Sequence, residues 1–142
     1  MSQTTDLLNY IHQNAEMGQG TIERISKMVT DQALKDDLEP QLEEYRRMCI
    51  ASEALLSAQK ADVKGVNPMA KASAYLKMNA STMADKSPSH ISEMLIEGST
   101  MGIVDITKKL NEYKGADAGV VALGKALLKQ EQSNIERLKK HL

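Results

Sequence analysis

The chain reads as all-α: a four-helix up-down bundle with a short extra helix between its two hairpins. Three observations predict this. Apolar residues recur every three or four positions over long stretches, which is the period of a helix face. Asn67-Pro68 and Ser87-Pro88 each set a capping side chain before a proline at the first helical position. No segment alternates apolar and polar residues as a half-buried strand does, and no internal repeat is visible.

The first helix is expected over about 5–29, with Leu8, Ile11, Ala15, Gly18, Ile22, Ile25 and Val29 on one face. The second is expected over about 31–59, opening at Thr30-Asp31. Its stripe is Leu34, Leu38, Leu42, Tyr45, Cys49 and Leu56. Pro40 falls inside it and should kink it or shift its start, since proline lacks the N–H and crowds the preceding turn. Residues 61–67 form a connector holding Gly65. A short third helix is expected over about 68–86 and a fourth over about 88–114, ended by Gly115. Asp117 should cap the fifth, over about 118–141. Glu23–Lys27, Glu43–Arg47 and Glu136–Lys140 are acid-then-base pairs at i, i+4, each contributing about 0.2–0.5 kcal/mol on an exposed helix.

The 142 residues match one ordinary domain, 1–142, able to bury a real core. Net charge is −1 with both signs interspersed, so neither nucleic acid nor an acidic tail is indicated. A single cysteine, Cys49, rules out an intrachain disulfide framework. No apolar run approaches the ~20 residues of a membrane span, and the N-terminus lacks the basic flank and apolar run of a signal peptide. A cytoplasmic protein without a membrane partner is expected. With no Phe or Trp, four Tyr and nine Met, the interior must be aliphatic and has no aromatic platform for a base or flavin.

Each polar residue can be placed on a wheel at about 100° per residue. His12, Glu16 and Glu23 fall on the outer face of the first helix. On the second, Glu43 points out, Glu44 lies on the flank, Cys49 is inward and Ile50 is outward. The fourth helix is apolar over a wide arc. Ile91, Met94, Leu95, Gly98, Met101, Gly102, Asp105 and Ile106 fall on one side, and Ile96, Ile103 and Leu110 on a second. An arc that wide needs cover beyond the bundle neighbours, from the third helix or from another subunit. Self-association through the fourth helix, as a homodimer, is therefore expected.

Glu131 stands in the apolar stripe of the fifth helix, between Leu127 and Leu138, with Asn134 beside it. A carboxylate pointing inward must be paired, protonated or bound to something. Counting back from the turn at Gly115 sets Glu131 opposite Met101 and Gly102, and Asn134 opposite Gly98. Asp105 and Lys109 lie four residues apart on the inward side and are expected to pair. The expected buried polar cluster is thus Glu131, Asn134, Asp105, Lys109, Gly98 and Gly102. Tyr45, Arg46 and Lys109 are the candidate partners of Glu131.

Two helical hairpins, a long connection and inward acids resemble the ferritin-like superfamily over the whole chain. That resemblance implies iron or manganese held by an inward Glu on two helices and by Glu-x-x-His on the other two. Here the fifth helix has Glu131-Gln132-Ser133-Asn134, with Asn where the histidine stands in that motif, and the second has Glu44-Tyr45-Arg46-Arg47. The candidate metal ligands are Glu131, Asp105, Glu97 and Glu44. No phosphate-binding glycine loop, nucleophile elbow or zinc cysteine pair is present. The leading expectation is a non-catalytic, self-associating bundle. The alternatives are an Fe or Mn oxidoreductase or storage protein, and a small-ligand-binding bundle.

Overall fold

The computed structural model describes residues 2–142. Five α-helices follow in order: α1 (Gln3–Ser26), α2 (Gln32–Ala58), α3 (Pro68–Ala84), α4 (Pro88–Glu112) and α5 (Ala118–Lys139). Among the described residues there is no strand, and no helix is long and apolar enough to cross a membrane.

The start signals act as their chemistry dictates. Asp31 accepts from Leu34 N, Asn67 from Met69 N and Ala70 N, and Ser87 from His90 N. Asp117 differs: its side chain makes no capping bond to α5, and its own N–H is taken by Thr4 Oγ1 at 3.0 Å. Gly115 is not a left-handed helix terminator either, since no glycine has positive φ among the described residues. Its lack of a side chain admits Gln3, whose Oε1 accepts from Gly115 N at 2.8 Å. The one left-handed residue described is Lys60, just past α2. Pro40 lies within α2 on its exposed side.

α1–α2 and α4–α5 form the two closely packed hairpins, and α1 also packs against α4, α5 and α3. The core is a continuous aliphatic cluster. Leu7, Leu8, Ile11 and Ile25 of α1 meet Leu34, Leu38 and Leu56 of α2, with Ile91, Ile106, Leu127 and Leu138 from the second hairpin. Because α1 touches all four other helices, its buried surface extends well beyond the apolar stripe. His12, expected on the outer face, is only 5 % exposed.

α3 is the loosest element. It buries only Tyr75 and Thr82. Tyr75 docks on the bare backbone of Gly20, where a Cβ would collide with its hydroxyl, and Arg24 lies 3.8 Å above the ring centroid. Surface pairing also departs from the simple i, i+4 scheme. Glu43–Arg47 forms at 3.7 Å, but Glu23 pairs with Arg46 of α2 at 3.4 Å. Glu136 pairs with Lys139 at 2.8 Å, leaving Lys140 to reach Asp37 at 3.2 Å.

Candidate functional site

Glu131 is 2 % exposed, its carboxylate turned from α5 toward α4 and α2. Gly102 makes the room: a Cβ there would stand 2.7 Å from both carboxylate oxygens. Gly18 does the same for Tyr45, whose ring fills the space of the absent α1 side chain. That seat brings the Tyr45 hydroxyl to Glu131 Oε1, to which it donates at 3.3 Å. Oε2 has no hydrogen-bond partner.

The electrostatics follow from this enclosure. Burial pushes the Glu131 carboxyl up to about 8, the Tyr45 bond opposes the rise, and the nearby negative charge of Asp105 adds to it. Burial and the Glu131 charge likewise push the Tyr45 phenol up. Other buried residues carry orphaned polar atoms, among them Gln41 at Nε2, Ser92 at Oγ and Asn134 at both amide atoms. Native interiors hold few such groups, and each calls for an explanation.

Glu131 does not close off a solid core. It forms part of the wall of a cleft of about 660 Å3 between α1 and α4. The walls are largely apolar, with Met17, Ile22, Met94, Leu95 and Ile106 among them. Gly98 opens the cleft: a Cβ there would meet nothing within 4 Å, so this glycine serves no close helix contact. At the mouth, Tyr10 stacks on Tyr113 with centroids 6.0 Å apart, and Lys109 Nζ sits 4.1 Å from the Tyr10 ring centre.

Several expected members of the polar cluster line the same cleft without being buried. Asp105 is exposed on the cleft rim, and Gly98 is exposed as well. Lys109 does not pair with Asp105. It bonds Glu112 at 3.2 Å and packs over the Tyr10 ring, which adds a cation–π contact that Asp105 does not offer. Arg46 is taken by Glu23 and Glu43, so Tyr45 alone of the three proposed partners reaches Glu131. Met101 is 68 % exposed instead of inward. Glu97 is exposed, Glu44 is half-buried, and neither lines the cleft. Among the described residues no three His, Cys, Asp or Glu side chains gather as metal ligands would. The carboxylates present do not fit a dinuclear iron or manganese centre.

A second polar cluster was invisible to the wheel. His12 Nδ1 lies 3.3 Å from Ser52 Oγ, and Nε2 lies 3.5 Å from Glu16 Oε2. Glu16 in turn binds Lys71 Nζ at 2.9 Å and accepts from Val66 N at 3.4 Å. Ser52 is fully buried and donates to the Met48 and Cys49 carbonyls. The Cys49 thiol is pushed up to about 11 by burial and by Glu53 and Glu16, so it is not a ready thiolate. This row fastens the connector and α3 to α1; it presents no exposed nucleophile. The one sequence cue was the i, i+4 spacing of His12 and Glu16.

No protein-family model, curated protein or solved structure matches this chain.

Proposed function

We propose that this protein is a non-catalytic, small-ligand-binding helical bundle whose site is the α1–α4 cleft. One observation carries the reading: the cleft is walled by apolar side chains and holds a buried carboxylate whose Oε2 has no partner. A volume of about 660 Å3 lies within the range of pockets that enclose drug-sized molecules, which pair apolar walls with a few placed polar groups. Met17 and Met94 give walls that adapt to shape. The two helical hairpins and the long connection carrying α3 support a ferritin-like arrangement, used here without that superfamily's metal ligands.

Thermal-shift and ligand-observed NMR screening against a metabolite library tests this. Gly98→Leu is the control, because Gly98 lines the cleft and a side chain there starts in open space, clear of packed neighbours. Binders should be found and should be lost in Gly98→Leu; no binder, or binders indifferent to it, would contradict the reading.

A second reading, self-association, rests on a separate observation. Met69, Leu76 and Met83 recur at seven-residue spacing on α3 and are all exposed, as are Met101 and Val104 of α4. Light scattering after size exclusion tests it: a dimer supports self-association, and a clean monomer at micromolar concentration removes it.

A further inference from the structure

We infer that the cleft takes a protonated amine carried on an apolar body, with the ammonium seated on Glu131; this rests on the ligand-binding reading above.

The free acceptor on Glu131 and the charges of the cleft point this way, and the orphaned Gln41 Nε2 beside them is an uncharged donor that balances neither carboxylate. A carboxylate is an acceptor with about four lone-pair sites, and Glu131 receives one bond, from Tyr45. An alkylammonium is the complementary group, having three donors and no acceptor. The charged residues lining the cleft are Glu131, Asp105 and Lys109. Lys109 is held at the mouth by Glu112 and Tyr10, so the charges left for a ligand are two carboxylates. An anionic ligand would meet the Asp105 charge and would bring a second negative charge beside Glu131 with no free cation to balance it. The titratable groups facing the site are Tyr45 from α2, Asp105 and Lys109 from α4, and Tyr10 from α1. None of them supplies a free cation to neutralise Glu131 in the empty cleft. Glu131 is consequently held protonated there, and an arriving ammonium displaces that proton to solvent and forms a buried ion pair.

Octylamine, octanol and octanoate share one apolar chain and differ only in the head group. Isothermal titration calorimetry at neutral pH, in buffers of different ionisation enthalpy, measures both affinity and proton release. Octylamine should bind roughly tenfold to a hundredfold tighter than octanol, with net proton release, and octanoate should bind more weakly than octanol. Glu131→Gln preserves shape and removes the charge. It should erase the amine preference and the proton release while octanol still binds. Gly98→Leu should weaken all three. Octanol binding as tightly as octylamine, or an amine preference surviving in Glu131→Gln, overturns the amine inference and leaves the cleft reading standing. No binding by any of the three, or binding unaffected by Gly98→Leu, overturns both.

Discussion

Gly102 and Glu131 occupy one space between them: a Cβ at Gly102 would stand 2.7 Å from both carboxylate oxygens, whereas one at Gly98 would meet nothing within 4 Å. The two glycines lie one turn apart on α4 and serve opposite ends. One admits a side chain, and the other leaves a wall open.

Their alanine variants should therefore differ in sign. Gly98→Ala gains helix propensity at no steric cost and should stabilise by about 0.5–1 kcal/mol. Gly102→Ala gains the same propensity but drives Glu131 from its seat, for a net loss of about 1–2 kcal/mol. Urea denaturation of both variants checks this; equal effects would mean the carboxylate moves aside freely.

Stability should fall as pH rises through the neutral range. Glu131 in the folded chain titrates at about 8, against an ordinary value of 4.5. Below 4.5 both states are protonated and the group contributes nothing to the slope. Between 4.5 and about 8 the unfolded chain has released a proton that the folded chain keeps, so each step up in pH favours unfolding; above about 8 the slope ends. The total is on the order of a few kcal/mol. Glu131→Gln should flatten this slope in denaturation curves taken across that window.

Removing the acid should strengthen the fold. Glu131 has no cationic partner to orphan, so Glu131→Leu should stabilise by about 1–3 kcal/mol at neutral pH. Tyr45→Phe should cost about 1 kcal/mol in the native background by deleting the bond to Oε1, and close to nothing when combined with Glu131→Leu. A double-mutant cycle with no coupling would remove the Tyr45–Glu131 bond from the account.

The His12–Glu16–Lys71 row should matter more than its partial exposure implies. Glu16 also accepts from Val66 N and lies against Gly65, where a Cβ would sit 3.0 Å from Oε2. Glu16→Ala should cost about 1–2 kcal/mol, above the few tenths expected for the exposed Glu43–Arg47 pair. Hydrogen exchange should accelerate over 61–75 while α2 and α5 stay protected. Protection unchanged over that stretch would contradict the clamp.

Much of the fold was legible because helix starts are local chemistry. Asn67, Ser87 and Asp31 cap as their types dictate, and the aliphatic stripes set the facing sides of the hairpins. The inward setting of Glu131, and its place beside Gly102, need only the α5 period and the turn between α4 and α5. What failed was the single-stripe wheel on α1 and α4. His12 is buried because α1 packs against all four other helices, with Ser52 of α2 against its ring, which no period within α1 reveals. Met101 and Asp105 are exposed because the α1–α4 gap is left unfilled, and a void has no sequence pattern. Lys109 chose Tyr10 over Asp105 through a contact between two residues far apart in the chain.

Everything proposed for the cleft turns on Glu131 being a buried acid with no cation of its own. The most direct measurement is its side-chain carboxyl titration by carbon-detected NMR, with and without saturating octylamine. The midpoint should lie at about 8 in the free protein and clearly lower with the amine bound. A midpoint in the ordinary glutamate range in the free protein, or one that octylamine leaves unmoved, would contradict it.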